Sequence, residues 1–577
     1  MTVRQPNARL ADLADRYWRF YCHEWPLYAV LAGEVTPDAT LFREAPADHD
    51  RRDRRAGELL AELDGIVLDG LTLQDRATHR LLRRELESIR SLHAVAAHLR
   101  PSLYPTGPPM MASYFANSSS VDDAETAERY VDRLASVPAY LRDLRESLEA
   151  GHDQGIRYPR LALDSAAASI RDGVAGPVEA LAWSGPFKRS PAADTTSVRR
   201  QAEHALALIR DELVPAFESF AAFLEGPLAD GARDTVACTD APLGRELYRA
   251  LVHDFTTTDL APEEIHELGL AEVARLESEM EAIAAEAGFA GDLPGYRHFL
   301  ADDRFFAPSK EALRERLEVL CKRIDGRVPI FFGRIPRITY GVESMPEAVA
   351  KRLPPAYAQP NPADRSAPGI FWITSLPERC PSPMHLPMAL HEAWPGHLMH
   401  IALMQEAEDL PAFRRHGAIR FPACVEGWAI YCEGLGVDMG LYQTPDQHFG
   451  RLEMEMWRAL RLVVDTGIHW HSWSRERAID TMAQHMALPR QTIEAEVDRY
   501  ISWPGQALAY QIGNLEFRRL RSLAKSRLQD RFNLRSFHDE LLAAGPVSLP
   551  VLGDIVDGWI TLHDPHCAAR EDHHARG

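Results

Sequence analysis

The stretch Met388-Ala-Leu-His391-Glu392-Ala-Trp-Pro395-Gly396-His397-Leu-Met-His400 puts three histidines and a carboxylate behind an apolar run and across a Pro-Gly step. Imidazoles at that density in an apolar segment point to a metal site rather than to packing. A zinc hydrolase needs three protein ligands, an open position for water and a base to take that water's proton. A common arrangement puts two histidines four residues apart on one helix, with Glu directly after the first. Here His391-Glu392 begins that pattern, but Pro395 stands four residues on and the next histidine is His397, six residues on. In an unbroken α-helix six residues turn by about 600°, which leaves the two side chains about 240° apart. Pro395 cannot donate to the helical ladder and Gly396 frees the backbone. A break at Pro-Gly is therefore expected to swing His397 back toward His391. Glu392 is then the expected catalytic base.

The third ligand is sought on another element. Val425-Glu426-Gly-Trp-Ala-Ile-Tyr431-Cys-Glu433 follows Pro422 and carries two carboxylates seven apart, on one face of a helix. Its apolar neighbours imply burial, and a buried carboxylate needs a cation. Glu426 is expected as the third ligand, with an ion pair to Arg458 or Arg461 as the structural alternative. Glu433 is expected to orient a ligand histidine from behind. Downstream, Arg461, Asp465 and His469 recur at four-residue steps on one helix. They read either as a satisfied buried network or as substrate groups, with Arg461 holding a carboxylate and His469 donating to an oxyanion. Tyr510, after a second Pro-Gly step at Pro504-Gly505, is a further candidate oxyanion donor.

The surroundings read as a mainly α fold with a small β-sheet next to the metal-binding helix. Apolar residues recur at helical spacing over 8–34, 51–98, 123–151, 159–173 and 196–225. Pro262 with Glu263 and Glu264 behind it opens another helix, expected to run to about Gly288, and one more covers 309–325. Gly369-Ile-Phe-Trp-Ile-Thr-Ser is the best strand, and the Pro-rich segment 353–368 reads as its connection. A helical region over 1–250 and a metal-site region over 251–577 are expected to form one unit with a continuous cleft.

With 577 residues, a formal net charge of −20 and no long basic run, the chain offers no footprint for nucleic acid. No stretch reaches the ~18 apolar residues of a membrane span. Seven scattered cysteines without a CxxC pair, and an N-terminus lacking the apolar core of a signal peptide, point to a cytoplasmic protein with reduced thiols. The oligomeric state stays open, a homodimer included.

Taken together, His391-Glu392-x-x-Pro395-Gly396-His397, Glu426-Gly-Trp-Ala-x-Tyr431-x-Glu433, Asp465-x-Gly467-x-His469 and Arg499-Tyr500 with Pro504-Gly505-Gln506 and Tyr510-x-x-Gly513 resemble the bacterial family called domain of unknown function 885. Pro368-Gly369-Ile370-Phe371 and the segment Thr256–Gly269 resemble it as well, so the likeness runs from about residue 10 to 560. That family is similar to gluzincin-like zinc metallopeptidases. The resemblance implies His391, His397 and Glu426 as ligands and Glu392 as base. It implies supporting or substrate-binding roles around Phe371 and Arg499. It also implies that Gly369–Ser375 is an edge strand on which an extended substrate pairs. Three positions depart from the family's usual residues: Leu398 and Gln511, where a histidine and a lysine are common, and His400, where Gln is common. His400 thus competes with His397 for the second histidine position. The expected activity is zinc-dependent hydrolysis of peptide or peptide-like amide bonds in short substrates. Alternatives are a lyase or oxidant using Fe2+ or Mn2+, because two histidines and a carboxylate also suit non-haem iron, and a binding protein without catalysis.

Overall fold

The computed structural model describes residues 7–34, 41–105, 107–108, 114–117, 119–351 and 353–564. It is mainly α-helical, with a single small sheet among those residues. The first helix, α1, spans Ala8–Glu24, and Asn7 caps it by accepting the Leu10 N–H. A long helix α2, Ala124–Asp153, starts at Asp123, whose carboxylate accepts from Thr126. Helices α3 (Gly244–Thr256) and α4 (Pro262–Glu286) follow. The expected start of α4 is observed: Pro262 sits in its first turn, and Glu264 accepts the Ala261 N–H at 2.8 Å.

The sheet holds β1 (Tyr340–Ser344), β2 (Ala356–Gln359) and β3 (Gly369–Ile373). Its spatial order is β1-β3-β2, with β3 parallel to β1 and antiparallel to β2. This corrects two expectations. Gly369–Ile373 is the central strand rather than an edge, so both of its ladder faces are occupied and no substrate can add to it. The Pro-rich connection contains the strand β2, which runs between Pro355 and Pro360. Prolines at its ends suit an edge strand, where an N–H can be spared. Phe371 also differs from expectation. It pairs with Val342 and Ala358 and is fully buried, so it packs in the core.

After the sheet come α5 (His385–Glu392), α6 (His397–Glu406), α7 (Pro422–Asp438), α8 (Pro445–His469), α9 (Arg490–Ser502) and α10 (Ala509–Leu528). One apolar cluster draws together Leu13 and Tyr17 of α1, Phe371 of β3, Leu390 of α5 and Trp428 of α7. A second is built on α2 and the helices that follow it, and a third lies where α4, α8 and α9 meet. Helices α5 and α7 are buried almost all round, which holds their polar side chains against the core rather than in solvent. No described helix is long and apolar enough to cross a membrane.

Candidate metal centre

The break between α5 and α6 sets the site. Helix α5 ends at Glu392 and α6 begins at His397, so His391 and His397 lie on two helices with a bend between them. Gly396 is required at the bend. A Cβ there would lie 1.9 Å from the His391 carbonyl oxygen and 2.5 Å from that of Leu390. Trp428 of α7 donates its indole N–H to the Pro395 carbonyl at 2.9 Å and ties the bend to the third element of the site. The expected convergence is present: the two imidazole centroids are 4.7 Å apart, with the rings at 88°.

Glu426 completes the group. Its Oε2 is 3.6 Å from His391 Nε2 and 3.4 Å from His397 Nε2, and one donor atom from each residue lies within 4.8 Å of the other two. These separations are long for hydrogen bonds. They fit the edge of a tetrahedron around a cation with bonds of about 2.0–2.1 Å, which is roughly 3.3 Å long. Two imidazoles and a carboxylate are a donor set that suits zinc, and also iron or manganese. Behind the group, His391 donates from Nδ1 to Glu433 Oε1 at 2.8 Å, which leaves Nε2 for the cation side. Arg458 approaches the same carboxylate oxygen at 3.4 Å. It is therefore a partner of Glu433 and not of Glu426.

The charges match this layout. Burial opposes ionisation of Glu426, but His397 and His391 outweigh it and hold its carboxyl well below the usual range. Burial likewise works against a charged His391, but Glu426 and Glu433 raise it to about 9. His400 lies outside the group. It is buried against Trp428, with 6.0 Å between ring centroids, and burial pushes it down to about 3. The geometry thus selects His397 over His400 as the second member. Glu392 is half-buried and makes no hydrogen bond or ion pair with another described residue, so its carboxylate is unencumbered.

Tyr510 lies on α10, near the start of that helix. Its hydroxyl is pushed up first by burial and then by the Glu426 charge, while Arg461 and Arg499 pull it down. The Arg461 guanidinium carbon lies 4.3 Å from the Tyr510 ring centroid. Arg461 and Arg499 share Glu496, at 3.4 and 3.1 Å, and Arg499 also donates to Gln506 at 2.8 Å. Glu496 was legible as an i,i+3 partner of Arg499 but is absent from the sequence-based site.

His469 and Asp465 follow the buried-network alternative. His469 accepts the Cys238 N–H on Nδ1 at 3.0 Å and donates from Nε2 to the Tyr500 carbonyl at 2.9 Å. Both ring nitrogens are used, and burial lowers its pKa to about 4, so the one N–H of the neutral ring is already given to the Tyr500 carbonyl. Asp465 accepts from Tyr248 at 2.7 Å and from the Gly505 N–H at 3.1 Å. It anchors the Pro504-Gly505 turn, in which Gly505 takes φ +80°. Gln511 is fully buried and donates to Glu272 at 3.0 Å, so the departure from the family's usual lysine falls in a core network.

Comparison with known proteins adds a fold and a family. The chain superposes on a "putative lipoprotein" from Colwellia psychrerythraea with a TM-score of 0.89 at 26% identity, covering 96% of this chain and 98% of that one. It also matches a "putative lipoprotein of unknown function" from Shewanella oneidensis with a TM-score of 0.74 at 16% identity, over 95% of this chain and 100% of that one, which shows a shared fold. No curated protein matches the chain. Lipoproteins act outside the cytoplasm, so the cytoplasmic location expected from the cysteines and the N-terminus is overturned. The six cysteines among the described residues are nonetheless free thiols. The pattern of the family described as "Bacterial protein of unknown function (DUF885)" matches residues 26–556, and the chain belongs to that family.

Proposed function

We propose that the protein is a metal-dependent hydrolase of peptide or peptide-like amide bonds, with His391, His397 and Glu426 as the metal ligands. The observation that carries this reading is the convergence of those three donors across a broken helix, with Glu433 behind His391 and an unencumbered Glu392 next to it in sequence. A zinc ion held there would polarise the scissile carbonyl and make water a competent nucleophile near neutral pH. Glu392 takes the proton of the attacking water and returns it to the leaving amine. Tyr510, which senses the Glu426 charge, donates its hydroxyl to the oxygen that gains negative charge. Glu433 keeps the His391 ring oriented through Nδ1. Enclosure by helices favours short peptides over folded proteins.

Metal analysis of protein purified without chelator or added metal tests the reading. About one zinc per chain, removable together with peptide hydrolysis and restored with it, is expected. Stoichiometric iron without zinc-supported hydrolysis would replace it with a non-hydrolytic iron enzyme on the same donor set.

A further inference from the structure

Arg461 carries a cationic nitrogen that the fold leaves unused. Its side chain is only 9% exposed. Nε points to the Tyr500 hydroxyl at 3.3 Å and Nη2 to Glu496 at 3.4 Å, but the buried Nη1 has no hydrogen-bond partner among the described residues. Glu496 is also taken up by Arg499 at 3.1 Å and by the Tyr500 hydroxyl at 2.8 Å. Two guanidinium groups against one carboxylate leave an excess positive charge in a buried place. An unsatisfied buried donor is costly, and more so when charged. A ligand carboxylate would complete it. The excess charge lies against the Tyr510 ring, 4.3 Å from its centroid, and Tyr510 sits three residues before Gly513, whose backbone packs on Gly427, the residue after Glu426.

We infer that Arg461, supported by Arg499, receives the terminal carboxylate of a peptide substrate, so that the enzyme removes residues from the C-terminal end. This rests on the hydrolase reading above. A guanidinium fork matches a carboxylate in shape and charge. In the reaction a C–O bond forms between water and the scissile carbonyl, the C–N bond breaks, and the proton taken by Glu392 goes to the leaving amine. Gln511 does not serve as this receptor, because it is buried and committed to Glu272 and Asn514.

The test uses a randomised tetrapeptide library made once with free C-terminal carboxylates and once as C-terminal amides, with cleavage followed by mass spectrometry. The zinc-loaded protein is expected to cut the acids about 100-fold faster than the amides, in line with a site built around a charge-assisted pair. Arg461→Met, which keeps the packing against Tyr510, should lose most of that preference, and Arg461→Lys should keep part of it. Equal cleavage of acids and amides by the unaltered protein overturns the inference while the hydrolase reading stands. If neither library is cut, the hydrolase reading fails. Calorimetry with 3-phenylpropionate and 3-phenylpropanamide then decides the Arg461 site alone. Binding of the acid only, lost in Arg461→Met, supports it, and equal or absent binding of the two overturns it.

Discussion

Gly427 of α7 and Gly513 of α10 meet backbone to backbone: a Cβ at 427 would lie 2.4 Å from the Gly513 carbonyl carbon, and a Cβ at 513 would lie 1.9 Å from the Ala423 carbonyl oxygen. This close approach puts Tyr510, three residues before Gly513, beside Glu426, one residue before Gly427. Two helices can come this near only when neither bears a side chain at the crossing. Gly513→Ala is expected to push α10 away and destabilise the protein by about 1–3 kcal/mol. The metal should stay bound, because no proposed ligand lies on α10, while peptide hydrolysis falls as Tyr510 is displaced. Thermal denaturation, metal content and turnover measured on one preparation check this.

Glu433 is hydrogen-bonded to His391, one of the proposed metal ligands. Its Oε1 accepts the His391 Nδ1–H at 2.8 Å, and the residue is 1% exposed. Glu433→Gln keeps the shape but removes the charge, and is expected to weaken metal binding by about 10–100-fold. Competition against a chelator of known affinity measures it. Unchanged affinity would show that His391 is oriented by packing alone.

Glu392 is expected to move protons without holding the metal. Glu392→Gln should retain one metal per chain and lose about 10²–10⁴-fold in hydrolysis. Full activity in a metal-replete variant would remove it as the base.

Metal uptake should release a proton at neutral pH. In the metal-free protein His391 is raised to about 9 by Glu426 and Glu433, against the opposing effect of burial. A metal ligand must be deprotonated, so His391 gives up its proton on binding. Calorimetry in buffers of different ionisation enthalpy should report close to one proton released per metal at pH 7. The stability effect has a definite sign. Because the folded pKa of His391 lies above the ordinary 6.5, its contribution to the metal-free protein is complete below pH 6.5 and fades as pH rises toward 9. Glu426 is held below its ordinary 4.5, so its contribution is present above that pH and fades as the solution becomes more acid. The melting temperature of the metal-free protein should therefore fall between pH 6.5 and 9, and that of the metal-loaded protein should not.

Much of the centre was legible from spacing. The break between His391 and His397 was legible because Pro395-Gly396 acts locally on the backbone. Glu426 and Glu433, seven apart, had to share a helix face. The helix from Pro262 and the helical character around the sheet were readable for the same reason: capping and periodicity are properties of neighbouring residues.

The rest depended on what lies across from each side chain. His469 sits on the expected helix, yet the Cys238 amide and the Tyr500 carbonyl, both distant in sequence, consume its two nitrogens. Phe371 is in a strand as expected, but β1 and β2 enclose that strand and take away its edge. The unpartnered nitrogen of Arg461 shows only when the other groups around it have been placed. Sequence alone determined which side chains share a face of one helix or a turn, because those relations follow from backbone geometry over a few residues. The tertiary structure alone decided which faces meet, and so which histidine and carboxylate are free to act. Burial and pairing are set by contacts between segments that the local pattern does not specify.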